Sequence, residues 1–271
     1  MRNILKYFSE VDTMTTSIDN KSILQSVQNG LQILKLFSKE KPILGITEIS
    51  RELELPKSTV SRLINDLISE GYLRKIGRKY TVGLSILGLT GVIMSQLEIH
   101  REAFEPLKCL VNKVNENAHV STLDGTHLIY ILKVESKQTI RLLSHVGHHR
   151  PPTCSAPGKL LLAFQPRKTV DKVIQEGLPK RGPNSVTDPT VLLEQLEQIR
   201  RDEYCVCKNE MYEDVVSIAA PIKNYTGKVI ASVSVSAPGQ RIGDDAIPHC
   251  VQELIKTGRK ISAKLGYMES F

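Results

Sequence analysis

No apolar run in the 271 residues approaches the roughly 20 needed for a helix to cross a bilayer. The opening MRNILKYFSEVD has neither a proper apolar h-region nor a small-residue cleavage site, which argues against export. Cysteines number five, an odd count without framework spacing, so a reducing compartment is favoured over a disulfide scaffold. A cytoplasmic location, without membrane contact, follows by elimination. The G-x-S-x-G elbow of serine hydrolases is missing. A P-loop is missing too: no glycine stands five residues before Gly158, and Leu160, after Lys159, cannot serve magnesium.

What is present is a hydrophobic fraction of 41%, enough for real cores, in a length that suits two domains. The formal net charge is +7, and it is unevenly placed. Between Lys57 and Lys79 stand six cations (Lys57, Arg62, Arg74, Lys75, Arg78, Lys79) against Asp66 and Glu70, a local net of +4. A basic stretch of this kind suits an anionic partner.

The same stretch has the pattern of a helix-turn-helix followed by a hairpin. A first short helix is expected over Glu48–Glu54, capped by Thr47, with Ile46, Ile49 and Leu53 inward. A second opens at Pro56, a favoured first helical position. There Val60, Leu63, Ile64, Leu67 and Ile68 recur at helical spacing and turn inward. Ser58, Ser61, Arg62 and Asn65 are left outside, with Lys57 and Thr59 at the amino end. Hydroxyls, an amide and cations suit base edges and phosphates. Gly71 is expected to end this helix. Two short strands then flank Gly77-Arg78, a glycine-first two-residue turn. They form a wing whose Arg74, Lys75 and Arg78 can touch the DNA backbone. The whole looks like a winged helix-turn-helix with its second helix in a major groove of double-stranded DNA.

Around this module the pattern reads as follows. Residues 1–21 form a polar tail without sustained period, and Met14 could serve as the true start. Ser22–Lys39 is a helix with Val27, Leu31, Leu34 and Phe37 inward and Ile33 and Leu36 beside them. Residues 84–100 form a linker helix, with Ile86, Leu89, Ile93 and Leu97 on one stripe that needs a partner; a second subunit is the favoured one. Arg101–Ala118 is a helix with Phe104, Leu107, Leu110, Val111 and Val114 inward. Strands follow at 119–123, 126–135 and 139–145, with Asp124-Gly125 as a hairpin signal. Helices are expected over 158–177 and 189–202, a strand pair over Met211–Ala237 turning at 224–227, and a last helix over Ile247–Leu265. This mixture indicates an α+β sensor-like domain.

Two features of that domain could hold a small anion. The loop Thr153–Lys159 runs into an apolar helix and leaves free N–H groups at its start. Ser232, Ser234 and Ser236 alternate with valines and share one face of a strand. On its own a solvent-facing strand explains them; they matter only if that face lines a pocket with the 153–159 loop.

In this order the segments PKSTVSRL, the wing, SAPGKLLLA, SIAAPI and SVSVSAPGQR resemble IclR-type transcriptional regulators, over about residues 22–268. The resemblance implies a winged helix-turn-helix domain (22–83), a linker or dimerisation helix (84–100) and a carboxy-terminal GAF-like α+β effector domain (101–271). It implies a homodimer or homotetramer on a pseudo-palindromic operator, regulating catabolic genes, with repression the expected sign and a small carboxylate as effector. The family's effector pocket would fall on Ala156, Pro157, Cys207, Ser217, Ser234 and Ser236. The chain departs from the family where acidic residues commonly precede the SIAAP-like motif. Here the run is Cys205-Val206-Cys207-Lys208-Asn209-Glu210, and only Glu210 keeps that character. Pro157 also removes one backbone donor.

No cofactor, catalytic set or metal set is assigned. Two rivals remain: a metal or redox sensor using His148, His149 and Cys154 or the Cys205/Cys207 pair, and a remote enzyme with Cys154 activated by His145, His148 or His149.

Overall fold

The computed structural model describes residues 24–38, 40–138 and 144–268. The expected 1–21 tail and most of the strand expected over 139–145 lie outside them. The chain divides into two compact units, meeting in sequence between Leu97 and Glu98.

The first unit is built on α1 (Gln25–Lys35), α2 (Ile46–Leu53) and α3 (Lys57–Ser69), followed by β1 (Leu73–Ile76), β2 (Lys79–Val82) and α4 (Ser85–Gln96). Ile33, Ile49, Val60, Leu63, Ile64, Leu73 and Tyr80 form its core. The cap of α2 differs from expectation. Gly45, not Thr47, precedes the helix, and the Glu48 carboxylate accepts from the Gly45 N–H at 2.7 Å. Pro56 is likewise the residue before α3, its extended ψ of 139° turning the chain into the helix. The far end of α3 closes as a Schellman motif: Gly71 donates to Ile68 O and Tyr72 to Leu67 O, with Gly71 at φ +73°. β1 and β2 pair antiparallel with Ile76 opposite Lys79, so Gly77 (φ +59°) and Arg78 form the whole turn. Leu44, which lies outside the named strands, pairs antiparallel with Tyr80 of β2. Gly83 lies so close to the helix end that a Cβ there would stand 1.9 Å from the Gly71 oxygen.

The inward stripe of α1 is corrected. Val27 and Leu31 are exposed, whereas Asn29 and Ile33 are buried. The helix carries two apolar stripes, and periodicity does not say which one its neighbours cover. In α4 no residue is buried; Leu87, Leu89, Val92 and Ile93 are exposed. This helix also ends sooner than residue 100. Leu97 leaves the helical region at ψ 83°, and a new helix starts at Glu98, not Arg101. Apolar residues keep their spacing across the break, which hides it from a periodicity reading.

The second unit is a six-stranded antiparallel sheet of order β5-β4-β3-β8-β7-β6 with helices on both faces. In chain order it runs α5 (Glu98–Val114), β3 (Ala118–Asp124), β4 (His127–Val134), β5 (His149–Arg150), a 3-10 turn (Pro152–Cys154), α6 (Ala156–Ala163), α7 (Arg167–Glu176), α8 (Pro189–Asp202), β6 (Cys205–Lys208), β7 (Val215–Lys223), β8 (Val229–Pro238) and α9 (Ile247–Lys264). α5 and α9 cover one face: Leu107, Leu110, Leu254 and Ile261 share a core with Val216, Ile218, Ala220 and Ile222 of β7. α6, α7 and α8 cover the other through Leu160, Leu162, Val170, Leu192 and Leu196.

Four details differ from the sequence reading. Phe104 is exposed, and Ala103 takes the inward place. The single helix expected over 158–177 is two, because Pro166 stands as the residue before α7 and favours extended backbone (ψ 146°). The β3–β4 turn is centred on Gly125-Thr126, since Asp124 pairs with His127. A short strand, β6, precedes the expected closing pair and packs on β7.

Candidate functional site

In the first unit, the exposed face of α3 carries Lys57, Ser58, Arg62 and Asn65, with Thr59 and Ser61 half-buried at its margin. Val60, Leu63 and Ile64 are buried on the opposite side and fix that orientation. No side chain caps the start of α3, and the Pro56 carbonyl accepts from Val60. The N–H groups of the first turn therefore remain open to an anion. Arg74, Lys75 and Arg78 are exposed on the hairpin. None of Lys57, Arg62, Arg74, Lys75 or Arg78 pairs with an acid among the described residues, whereas Lys79 is drawn to Glu48 at 3.5 Å. Unpaired cations beside an open helix start are what phosphate contacts require.

In the second unit, the strand registers gather polar residues on the face beneath α6. Residues directly opposite across neighbouring strands point the same way. One row is Cys207, Ser217, Ser236; the next is Cys205, Ala219, Ser234, His119; a third is Ser232, Ser121, Tyr130. The three β8 serines do share a face, and that face is inward: Ser232 and Ser234 are fully buried and Ser236 half-buried. The solvent-facing explanation is thereby replaced.

A cavity of about 50 Å³ opens at the edge of this face. The sheet contributes His119, Tyr130, Ser217 and Ser236, with Ser236 Oγ donating to Ser217 Oγ at 3.2 Å. The connection into α6 contributes Ser144, Arg150 and Ser155, and Met211, Tyr212 and Val215 close the outer side. Among the described residues that line the cavity, Arg150 is the cation and none is a carboxylate. Burial pushes the Tyr130 hydroxyl up to about 12 and the His119 imidazole down to about 3, so both are neutral near pH 7. His119 Nδ1 and the hydroxyls of Ser121, Ser155, Ser232 and Ser234 are buried without a hydrogen-bond partner. Each such group costs roughly 1–3 kcal/mol unless water or a ligand meets it.

Of the six pocket residues implied by the resemblance, Ser217 and Ser236 line this cavity. Ala156, Pro157, Cys207 and Ser234 are buried beside it, under or within α6. The sequence pattern does not single out His119, Tyr130, Ser144 or Arg150, whereas Ser155 falls in the 153–159 loop expected to meet an anion. Ser155 was readable as the residue before an apolar helix; His119 becomes visible only once its strand is registered against Ser234. Glu210 is not in the lining. It is buried in an ion pair with Lys159, whose Nζ also donates to Gln195 Oε1 at 2.7 Å.

A larger cleft of about 360 Å³ lies past Pro152 and Thr153, walled by Val173, Leu178 and Pro179. Its ionisable groups, His127 and Glu176, are exposed on the rim.

The rival sites do not assemble. Cys154 Sγ donates to the Pro179 carbonyl at 3.2 Å, and burial pushes its thiol up, the reverse of activation. His149 pairs with Asp124 at 3.0 Å. The Cys205 and Cys207 sulfurs do face the same way, 3.7 Å apart, and their mutual contact and burial push the Cys207 thiol well up. Among the described residues no group of three or more His, Cys, Asp or Glu is placed to hold a metal ion. Nor is any described helix long and apolar enough to cross a membrane.

Comparison with known proteins agrees with both halves. Residues 26–77 match the IclR helix-turn-helix domain, and residues 92–263 match the bacterial transcriptional regulator IclR C-terminal domain. The regulator KdgR of Escherichia coli is 31% identical over 247 residues, covering 90% of this chain and 94% of that one. KipR of Bacillus subtilis is 29% identical over 250 residues, covering 92% and 98%. Among solved structures, the Thermotoga maritima IclR superposes with a TM-score of 0.73 at 27% identity, covering 89% and 99%. An IclR homologue from Microbacterium hydrocarbonoxydans, complexed with 4-hydroxybenzoate, gives 0.78 at 24% identity, covering 89% and 98%.

Proposed function

Since the chain belongs to the IclR family of bacterial transcriptional regulators, DNA-binding proteins that respond to ligands and are not enzymes, we propose specific roles for its two surfaces. α3 lies in the major groove. Ser58, Ser61, Arg62 and Asn65 meet base edges or adjacent phosphates there. Lys57 and Thr59 at the helix start, with Arg74, Lys75 and Arg78 on the wing, position the phosphate backbone. The observation that carries this reading is the set of unpaired cations around an uncapped helix start.

The effector site is the cavity under α6, and its ligand is a small carboxylate. Among the described lining residues Arg150 supplies the full charge, and the nearby acid that could repel an anion, Glu210, is neutralised by Lys159. A relative's complex with 4-hydroxybenzoate fits that chemistry. Ser217 and Ser236 contact the ligand directly, while Ala156, Pro157, Cys207 and Ser234 shape the site from behind.

Two copies act together, each α3 on one half-site of a pseudo-palindromic operator, with centres about 34 Å or a multiple apart. The exposed residues Val27 and Leu31 on α1 and Leu89, Val92 and Ile93 on one side of α4 support self-association, because exposed apolar surface of this kind marks an interface. The protein works in the cytoplasm, where its operator lies, as a repressor of a catabolic operon. The effector biases the equilibrium between DNA-competent and DNA-incompetent arrangements only by its differential affinity for them.

The test is binding of the full-length protein to its own promoter region and to unrelated duplexes at matched salt, with and without a panel of short carboxylates. Preference for the promoter, relieved by one of the acids, is expected. Equal affinity for all duplexes in every condition would overturn the proposal.

A further inference from the structure

Resting on the readings of α3 as the groove helix and of α4 as a self-association surface, we infer that Glu70-Gly71-Tyr72 and Gly83-Leu84-Ser85 form a stiff joint. This joint sets the half-site spacing the protein accepts, and Ser85 is its positioning residue.

The wing brings the two ends together. β1 leaves the end of α3 and β2 returns to it, because Leu73 stands opposite Val82 in the hairpin. One position further out, the Gly83 N–H donates to the Tyr72 carbonyl at 2.7 Å. Two more bonds tie down α4 itself. The Ser85 N–H donates to the Gly71 carbonyl at 3.3 Å, and Ser85 Oγ donates to the Glu70 carbonyl at 3.2 Å. The first-turn N–H of α4, which its own helix cannot satisfy, thus finds an acceptor just past the end of α3. Charge favours the same junction. The last turn of α3 holds no basic residue and the first turn of α4 no acid, so the negative end of one helix is balanced by the positive end of the other. Glycine permits the approach. Gly71 is at φ +73°, and a Cβ on it would fall on Ser85 Oγ, while one on Gly83 would fall on the Gly71 carbonyl. Backbone packed this closely has no room to pivot, so a turn of α4 carries the end of α3 with it.

The two helices depend on the joint unequally. α3 is held by Val60, Leu63 and Ile64 in the core of its unit, whereas α4 has no buried residue. Among the described residues, the hydrogen bonds that join α4 to the rest of the unit are those made by Ser85. With no buried side chain to orient it, α4 takes its direction from this point. Two copies that associate through α4 therefore hold their α3 helices at one separation and one angle. Moving the half-sites apart by two base pairs displaces one of them by about 7 Å and turns it by about 70° around the duplex. A stiff pair cannot follow that change; a loosely hinged pair can.

The experiment measures binding of the full-length protein to its own promoter region, footprinted to locate the half-sites, and to the same duplex with those half-sites two base pairs further apart. It uses wild type, Ser85→Thr, Ser85→Ala and an insertion of two glycines between Leu84 and Ser85. None of these removes a buried side chain; the unfolding midpoint and sedimentation of each control for folding and self-association. Wild type should bind the lengthened duplex about 100-fold more weakly, because avidity is lost when geometry forbids both contacts. The glycine insertion should bind the two duplexes within about threefold of each other, since a flexible connection spans either spacing. Ser85→Ala should fall between these limits, and Ser85→Thr, which keeps the hydroxyl, should match wild type. A wild-type ratio in the glycine insertion overturns the joint. A wild-type ratio in Ser85→Ala overturns the role of Ser85. Wild type that prefers its promoter over unrelated duplexes yet accepts both spacings equally also overturns the joint, and leaves the reading of α3 standing. Without any promoter preference the reading of α3 itself fails, and if wild type sediments as single copies the reading of α4 fails; either takes this inference with it.

Discussion

At the scale of single residues, Arg62 and Lys75 are both exposed cations, yet they stand on different elements and should fail differently. Arg62 projects from the exposed face of α3. If it makes a bidentate base contact, Arg62→Ala costs roughly 1–3 kcal/mol and relaxes preference at that base pair. Lys75 is on the wing, so Lys75→Ala should weaken all duplexes alike and lower the salt slope by about one ion. Binding isotherms on operator variants at several salt concentrations separate the two; unchanged sequence preference in the Arg62 variant would remove its base-reading role. His119 allows a second prediction. Its folded pKa, about 3, lies below the ordinary histidine value of 6.5, so the unfolded chain takes up the proton first. The stabilisation is full above pH 6.5 and is lost as pH falls through that value toward 3. Between about pH 6.5 and 5 this one site should cost about 2 kcal/mol. Urea unfolding across that range should show a shallower loss in His119→Asn than in wild type.

Among elements, much of the first unit was legible because its signals are local. The α3 stripe and the glycine turn of the wing depend on neighbours a few residues away, and the structure places them as read. Which stripe of α1 is covered, where α4 stops, and that Cys205–Lys208 pairs with β7 depend on partners distant in sequence. The cavity beneath α6 divides the same way. Alternation along β8 put three serines on one face, but only strand register brings His119 and Tyr130 alongside them. The link between α6 and the residues after β6 was equally hidden, since Lys159 and Glu210 are 51 positions apart. Breaking it should be costly. Lys159→Met leaves a buried carboxylate uncompensated and should destabilise by about 3–5 kcal/mol, with Lys159→Met/Glu210→Leu recovering much of the loss. Equal stability of the single and double variants in urea would show that the pair matters little. Gly83 is a further case. Gly83→Ala must move the backbone at the end of α3, and a lowered unfolding midpoint with weakened DNA binding is expected.

For the whole molecule, the expectation concerns copy number. Leu89→Ser/Ile93→Ser removes apolar area from α4 without touching a buried residue, so the folded core should survive while self-association weakens. Sedimentation velocity across a concentration series reads this directly. An unchanged oligomer distribution would move the interface elsewhere.

The bareness of α4 also bears on how firmly that stretch can exist at all. Twelve residues with nothing tucked away, among them Gly88 and Gly91, fall near the length at which a lone helix in water melts as readily as it forms. Its order must be borrowed from whatever lies against it. In dilute protein its amides should therefore exchange with deuterium almost freely, and slow down as the solution is made more concentrated, long before anything changes in the sheet beyond.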